Sequence, residues 1–233
     1  MDIEIFSGST KAIISTSGGY VTNLADERGD ILFPKRTLTA PEGSEKTRGG
    51  CHVCSPNFGP GGESGLAQHG YGRTSEWKVV EQSETQVTLL LMGEKQYETL
   101  ESHLVYQIAD MSFEMSLQLK NTGDAPLAVA PGFHPYFSYR GALPIVNNAP
   151  TTDLSHFLDT VFIDGNEQSL TVAGRNLTLR SDQLTKWAVW TDQLGGYLCV
   201  EPTQLGNAFV YDTSPPLLEP GQEKTYTFTM HWA

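Results

Sequence analysis

The sequence has little cysteine, a shortage of positive charge and no long apolar run. Its three cysteines, Cys51, Cys54 and Cys199, are too few and too unevenly spaced for the disulfide framework of a small secreted domain, so free thiols in a reducing compartment are expected. Lysine and arginine number 15 against 27 aspartates and glutamates, which gives the 233-residue chain a formal net charge of -12. Nucleic acid and anionic lipid are held by clustered Lys and Arg, so neither is an expected partner, and any anionic ligand has to be met by a local basic site. No stretch approaches the roughly 18 apolar residues that span a bilayer. The opening MDIEIFSGST also lacks the basic end and apolar run of a signal peptide. No membrane partner is expected, and the expected location is cytoplasmic.

Helical patterning is nearly missing as well, since no window of about a dozen residues keeps an i, i+3, i+4, i+7 apolar stripe with caps. Period-two alternation takes its place. From Glu101 to Lys120, Leu104, Tyr106 and Ile108 precede a hinge at Ala109 and Asp110, after which Phe113, Met115, Leu117 and Leu119 alternate with polar residues. That pattern predicts a hairpin with one wet face. Near the C terminus Tyr226, Phe228, Met230 and Trp232 alternate with threonines and His231, and aromatic residues beside threonine suit a pleated surface. Further strands are expected around Ile3, Val79, Leu89, Leu170, Val200 and Val210, separated by Gly, Pro, Asn and Asp punctuation. The predicted fold is all-β, a large antiparallel β-sandwich with little helix, formed by one domain over residues 1–233.

One region departs from this rhythm. Thr39 to Gly72 is rich in glycine and holds Pro41, Pro56 and Pro60, which reads as a long loop. Loops of that length in compact domains are commonly functional, and this one also carries Arg48, His52 and His69, with Arg73 just beyond its end.

Three residues stand out as chemistry: His69 in QHGYGR, His134 in PGFHPYF and Glu201 in CVEP. Each also has a structural explanation, a hydrogen-bonded core imidazole or a solvated charge at a strand end. The setting of His134 among Phe133, Pro135, Tyr136 and Phe137 favours chemistry, because a dry aromatic site tunes an imidazole for proton transfer. Cys51 and Cys54 lack the second close-spaced ligand pair of a structural zinc site. The run GPGGESG from Gly59 to Gly65 matches no nucleotide-binding fingerprint.

Five blocks of this sequence, RGGCHVCSPNFG at Arg48 to Gly59, HGYGRTSEW at His69 to Trp77, GFHPYF at Gly132 to Phe137, VWTD at Val189 to Asp192 and CVEP at Cys199 to Pro202, carry a resemblance. In their order and spacing the chain resembles the aldose 1-epimerases, and within them the hexose-6-phosphate mutarotase branch. The resemblance implies a large antiparallel β-sandwich that interconverts the α and β anomers of a sugar or sugar phosphate by opening and reclosing the ring. It implies Glu201 as general base, His134 as general acid and His69 as a second imidazole that orients the sugar. Arg48 and Arg73 match positions that face the substrate phosphate, and Asp192 matches a substrate-binding position. Neither a cofactor nor a metal is implied. Two other classes remain: a non-catalytic carbohydrate-binding sandwich with Trp187, Trp190, Tyr136 and Phe58 as stacking platforms, and a metal enzyme built on His52, His69 and His134.

Overall fold

A strand that alternates polar and apolar residues buries one face, whereas a strand covered on both sides shows no alternation. Both kinds occur here and they segregate into two sheets. The computed structural model describes residues 1–139, 141–210 and 214–233.

The alternating strands build the first sheet. Leu100–Ala109 and Ser112–Asn121 pair antiparallel, from Leu100 opposite Asn121 to Ala109 opposite Ser112. The turn is therefore Asp110–Met111, one residue later than the punctuation implies, with Met111 in the left-handed region at φ 52°. Leu104, Tyr106, Ile108, Phe113, Met115, Leu117 and Leu119 are all buried, as the alternation requires. Glu223–Trp232 lies along Ser112–Asn121 and buries Tyr226, Phe228, Met230 and Trp232. Gln86–Met92 and Lys78–Gln82 extend one side of this nine-stranded sheet, and Arg175–Arg180 and Glu167–Val172 extend the other.

The second nine-stranded sheet runs Asp2–Ser7, Thr10–Ser15, Tyr20–Asp26, Cys51–Cys54, Gly132–Ser138, Tyr197–Thr203, Lys186–Trp190 and Val161–Asp164, with Gly29–Asp30 paired to Tyr20–Asp26. Every residue of Cys51–Cys54, Gly132–Ser138 and Tyr197–Thr203 is buried. One face of these strands packs on the first sheet: Phe133 and Trp187 meet Phe228 with ring centroids 6.1 and 5.9 Å apart. The opposite face is roofed by loops. A buried ion pair also ties the sheets together, as Arg175 Nε donates to Asp26 Oδ2 at 3.1 Å and a second guanidinium nitrogen donates to the Gly29 carbonyl at 2.9 Å.

Two expectations change. The Thr39 to Gly72 region is not one loop: Arg36–Thr39 and Glu45–Arg48 form a hairpin, and Cys51–Cys54 is a central strand. Burial on both faces erased the alternation that would have revealed that strand. Gly50 makes its entry feasible, since at φ +68° a Cβ would lie 2.1 Å from the Val21 carbonyl oxygen. Val210 lies in a turn, and helix among the described residues is confined to short 3-10 turns such as Gly62–Ser64 and Gly72–Thr74. Among the described residues no helix is long and apolar enough to cross a membrane.

Candidate active site

On the roofed face of the second sheet, side chains of neighbouring strands stand in register. His52 pairs with His134, and Ala188 pairs with Glu201. The pairs Gly132–Thr203 and Tyr136–Cys199 set His134 opposite Glu201. A single row, His52, His134, Glu201 and Ala188, thus crosses the middle of the sheet. Antiparallel register places such partners on one face, so strand pairing alone brings together residues up to 149 positions apart in the chain.

Above the row lies a cleft of about 450 Å³ whose wall includes Arg48, His69, Arg73, His134 and Glu201, and which Phe58, Tyr136 and Trp190 narrow with aromatic faces. The structure therefore gathers every catalytic residue expected from the sequence and three of the four expected to bind substrate. Asp192 is the exception in position. It stands behind the wall, where its carboxylate accepts from Arg48 Nε at 2.7 Å, from the Leu194 amide at 3.2 Å and from the Tyr197 hydroxyl. Burial works against its ionisation, but the hydrogen bonds from Tyr197 and Arg48 outweigh it and hold Asp192 below the usual carboxylate range.

His134 and Glu201 form the floor, 6% and 2% exposed. His134 Nε2 lies 3.4 Å from Glu201 Oε2, within ion-pair range but misaligned for a hydrogen bond. Among the described residues neither Glu201 Oε2 nor His134 Nδ1 has a hydrogen-bond partner, although both atoms are buried. Burial drives Glu201 well above the usual carboxylate range. Burial also drives His134 well below the usual imidazole range, reinforced by His52, His69, Arg73 and Arg48. Dry surroundings favour the uncharged arrangement, a carboxylic acid beside a neutral imidazole, over the ion pair.

His69 is fixed differently. It adopts φ 63°, and the following Gly70, at φ +69°, packs where a Cβ would lie 2.0 Å from the Ser55 carbonyl oxygen. Its Nδ1 accepts the Gly59 amide at 3.1 Å and lies 3.3 Å from the Cys54 thiol. With Nδ1 occupied as acceptor the ring proton sits on Nε2, and burial with the Arg73 charge pushes the pKa down to about 3. His69 is accordingly a neutral hydrogen-bond donor.

The two arginines also differ. Arg48 is engaged by Asp192 and the Thr47 carbonyl, and its guanidinium lies 5.6 Å from the centre of the Trp190 ring. Among the described residues nothing pairs with Arg73, which the Gly72–Thr74 turn directs to the cleft; Trp77 braces that turn through its Nε1 bond to the Gly72 carbonyl at 2.8 Å.

Sequence reasoning assigned no single role to His52, whose ring centroid lies 4.8 Å from that of His134 and 5.7 Å from that of His69. The signal available was its place in an all-buried strand, hidden by the loop reading. Asn207, Gln68 and Thr160 also line the cleft and carried no sequence signal. Trp187, a stacking platform in the binding-module reading, faces the core against Phe228 instead.

The fold and this floor define a class: an antiparallel sandwich with a buried imidazole–carboxylate pair under a polar, cation-lined cleft. A family model described as aldose 1-epimerase matches residues 1–160, which contain Arg48, His69, Arg73 and His134. The chain belongs to the aldose 1-epimerase family. Solved structures share the fold from end to end. A protein from Synechocystis superposes with a TM-score of 0.81 at 20% identity, over 100% of this chain and 96% of its own. A galactose mutarotase related enzyme from Lactobacillus acidophilus gives 0.78 at 16% identity, over 100% and 97%. A galactose mutarotase-like protein from Lactobacillus casei gives 0.78 at 14% identity, over 100% of both chains. No curated relative matches significantly.

Proposed function

We propose that the protein is a mutarotase that interconverts the α and β anomers of an aldose by ring opening. The observation that carries this reading is the buried His134–Glu201 pair, 3.4 Å apart on the cleft floor with unpartnered polar atoms. Glu201 as carboxylate takes the proton of the anomeric hydroxyl, and His134 as imidazolium gives its proton to the ring oxygen. The bond between C1 and the ring oxygen breaks, the hydroxyl becomes the aldehyde, C1 turns, and reclosure on the other face reverses both transfers. After opening, the pair is a carboxylic acid beside a neutral imidazole. Burial favours that same neutral arrangement before opening, so the ion pair that starts the transfer is the minor form of the resting site. His69, a neutral Nε2–H donor, orients the sugar, and Asp192 fixes Arg48.

Arg73 favours a phosphorylated hexose as substrate. A cation on the cleft wall with no partner among the described residues suits a dianion, whereas the Arg48 charge is largely met by Asp192.

The test is anomer exchange followed by NMR on glucose, galactose and their 6-phosphates. Glu201→Gln keeps the shape and removes the base. Turnover should fall by about two to four orders of magnitude with sugar affinity held within a few fold. Retention of more than half the wild-type turnover would exclude Glu201 from the mechanism.

A further inference from the structure

Cys199 stands two residues before Glu201 on the same strand and on the same face, and its thiol takes no part in ring opening. Donor atoms of His134, Cys199 and Glu201 all lie within 4.8 Å of one another, and all three residues are buried. Glu201 Oε2 has no hydrogen-bond partner among the described residues. We propose that this triad is an inhibitory site for a thiophilic divalent cation, with Zn²⁺ as the best fit, which seizes the catalytic pair and shuts the cleft floor to sugar.

The donor set selects the metal. Imidazole, thiolate and carboxylate together suit zinc, whereas Mg²⁺ and Ca²⁺ prefer all-oxygen cages. Three protein ligands leave a fourth position open to the cleft, where water completes a tetrahedron. Bonds of roughly 2.0 to 2.3 Å place tetrahedral donors roughly 3.3 to 3.7 Å apart, so the triad has to close by about 1 Å through side-chain rotation. Charge balances as well. A dication with one thiolate and one carboxylate is neutral overall, which a dry floor tolerates, and the nearby Arg48 charge is already met by Asp192 at 2.7 Å. Loading expels two protons, one from the thiol and the one held by the His134–Glu201 pair.

Cys54 is the competing thiol, since its Sγ lies 3.3 Å from His69 Nδ1 and 3.7 Å from His52 Nδ1. It lacks a free imidazole partner, because the Gly59 amide already occupies His69 Nδ1 and the Val53 carbonyl lies 3.3 Å from His52 Nδ1.

The experiment titrates the intact protein with Co²⁺, which reports a thiolate ligand through a charge-transfer band in the near ultraviolet, and competes the band away with Zn²⁺. Wild type and Cys54→Ser should show the band. Cys199→Ser should lack it and bind Zn²⁺ more than about 100-fold more weakly, beyond the loss usual for a supporting residue. X-ray absorption of zinc-loaded wild type should count one sulfur at roughly 2.3 Å with nitrogen and oxygen beside it, and this readout needs no variant to fold. Zinc should raise the Michaelis constant of the wild type for sugar and leave that of Cys199→Ser unchanged. A wild type without the band, a zinc shell without sulfur, or a band that vanishes with Cys54→Ser would each overturn the proposal. The inhibitory role rests on the mutarotase reading but the band does not: a band without anomer exchange defeats that reading, and anomer exchange without a band defeats the metal site.

Discussion

Replacing Glu201 by Gln should change the pH dependence of stability in a way set by counting protons on the cleft floor. His52, His69 and His134 are held below the imidazole value of 6.5, chiefly by burial, and Glu201 is held above the carboxylate value of 4.5 by burial. A histidine with a depressed pKa contributes stability above pH 6.5 that is lost as pH falls. A carboxyl with a raised pKa contributes stability below pH 4.5 that is lost as pH rises. In the acid range the unfolded histidines therefore take up protons that the buried ones resist, so stability rises with pH there, whereas the Glu201 contribution is lost as pH rises above 4.5. Glu201→Gln removes the carboxyl's part. The variant should gain on wild type as pH rises from 4.5, by about 1.4 kcal/mol for each pH unit over which the folded carboxyl stays protonated while the unfolded one is ionised. The comparison stops short of pH 9.0, where Cys51, Cys54 and Cys199, all raised by burial, begin to add their own differences. Urea unfolding followed by tryptophan fluorescence at constant ionic strength measures the gap. A gap that stays constant from pH 5.0 to 8.5 would refute the raised Glu201 carboxyl.

Three further outcomes test other links. His134→Asn should lower turnover by about two to four orders of magnitude, whereas His69→Asn, which loses a positioned donor, should be milder and fall partly on the Michaelis constant; the reverse ranking in steady-state assays would exchange their roles. Arg73→Ala should raise the Michaelis constant for a hexose 6-phosphate about ten-fold or more over that for the free hexose, and an equal effect on both would remove the phosphate from the cleft. Asp26→Ala strands the Arg175 guanidinium, 2% exposed, between the sheets and should cost about 3 to 5 kcal/mol by chemical denaturation, while Arg28→Ala, on the exposed side of Asp26, should cost under about 1 kcal/mol.

What could be read in advance tracks how each strand is buried. Leu100–Ala109, Ser112–Asn121 and Glu223–Trp232 have one wet face, so alternation declares them in the chain itself, and with them the all-β class. Cys51–Cys54 is covered on both sides, and only flanking glycines and prolines show in its neighbourhood, so it reads as loop until the Gly132–Ser138 strand lies beside it. Residue types and local motifs pointed to His69, His134 and Glu201 because proton transfer restricts the chemistry to few side chains, while the roles of the two arginines followed from the family resemblance. Tertiary structure alone decided their arrangement. Register across four strands set His52 beside His134 and His134 opposite Glu201, placed Asp192 behind Arg48, and left Arg73 without a partner among the described residues. Local sequence cannot encode those relations, because they depend on which strands pair and on which face a loop covers, and both follow from burying the whole core at once.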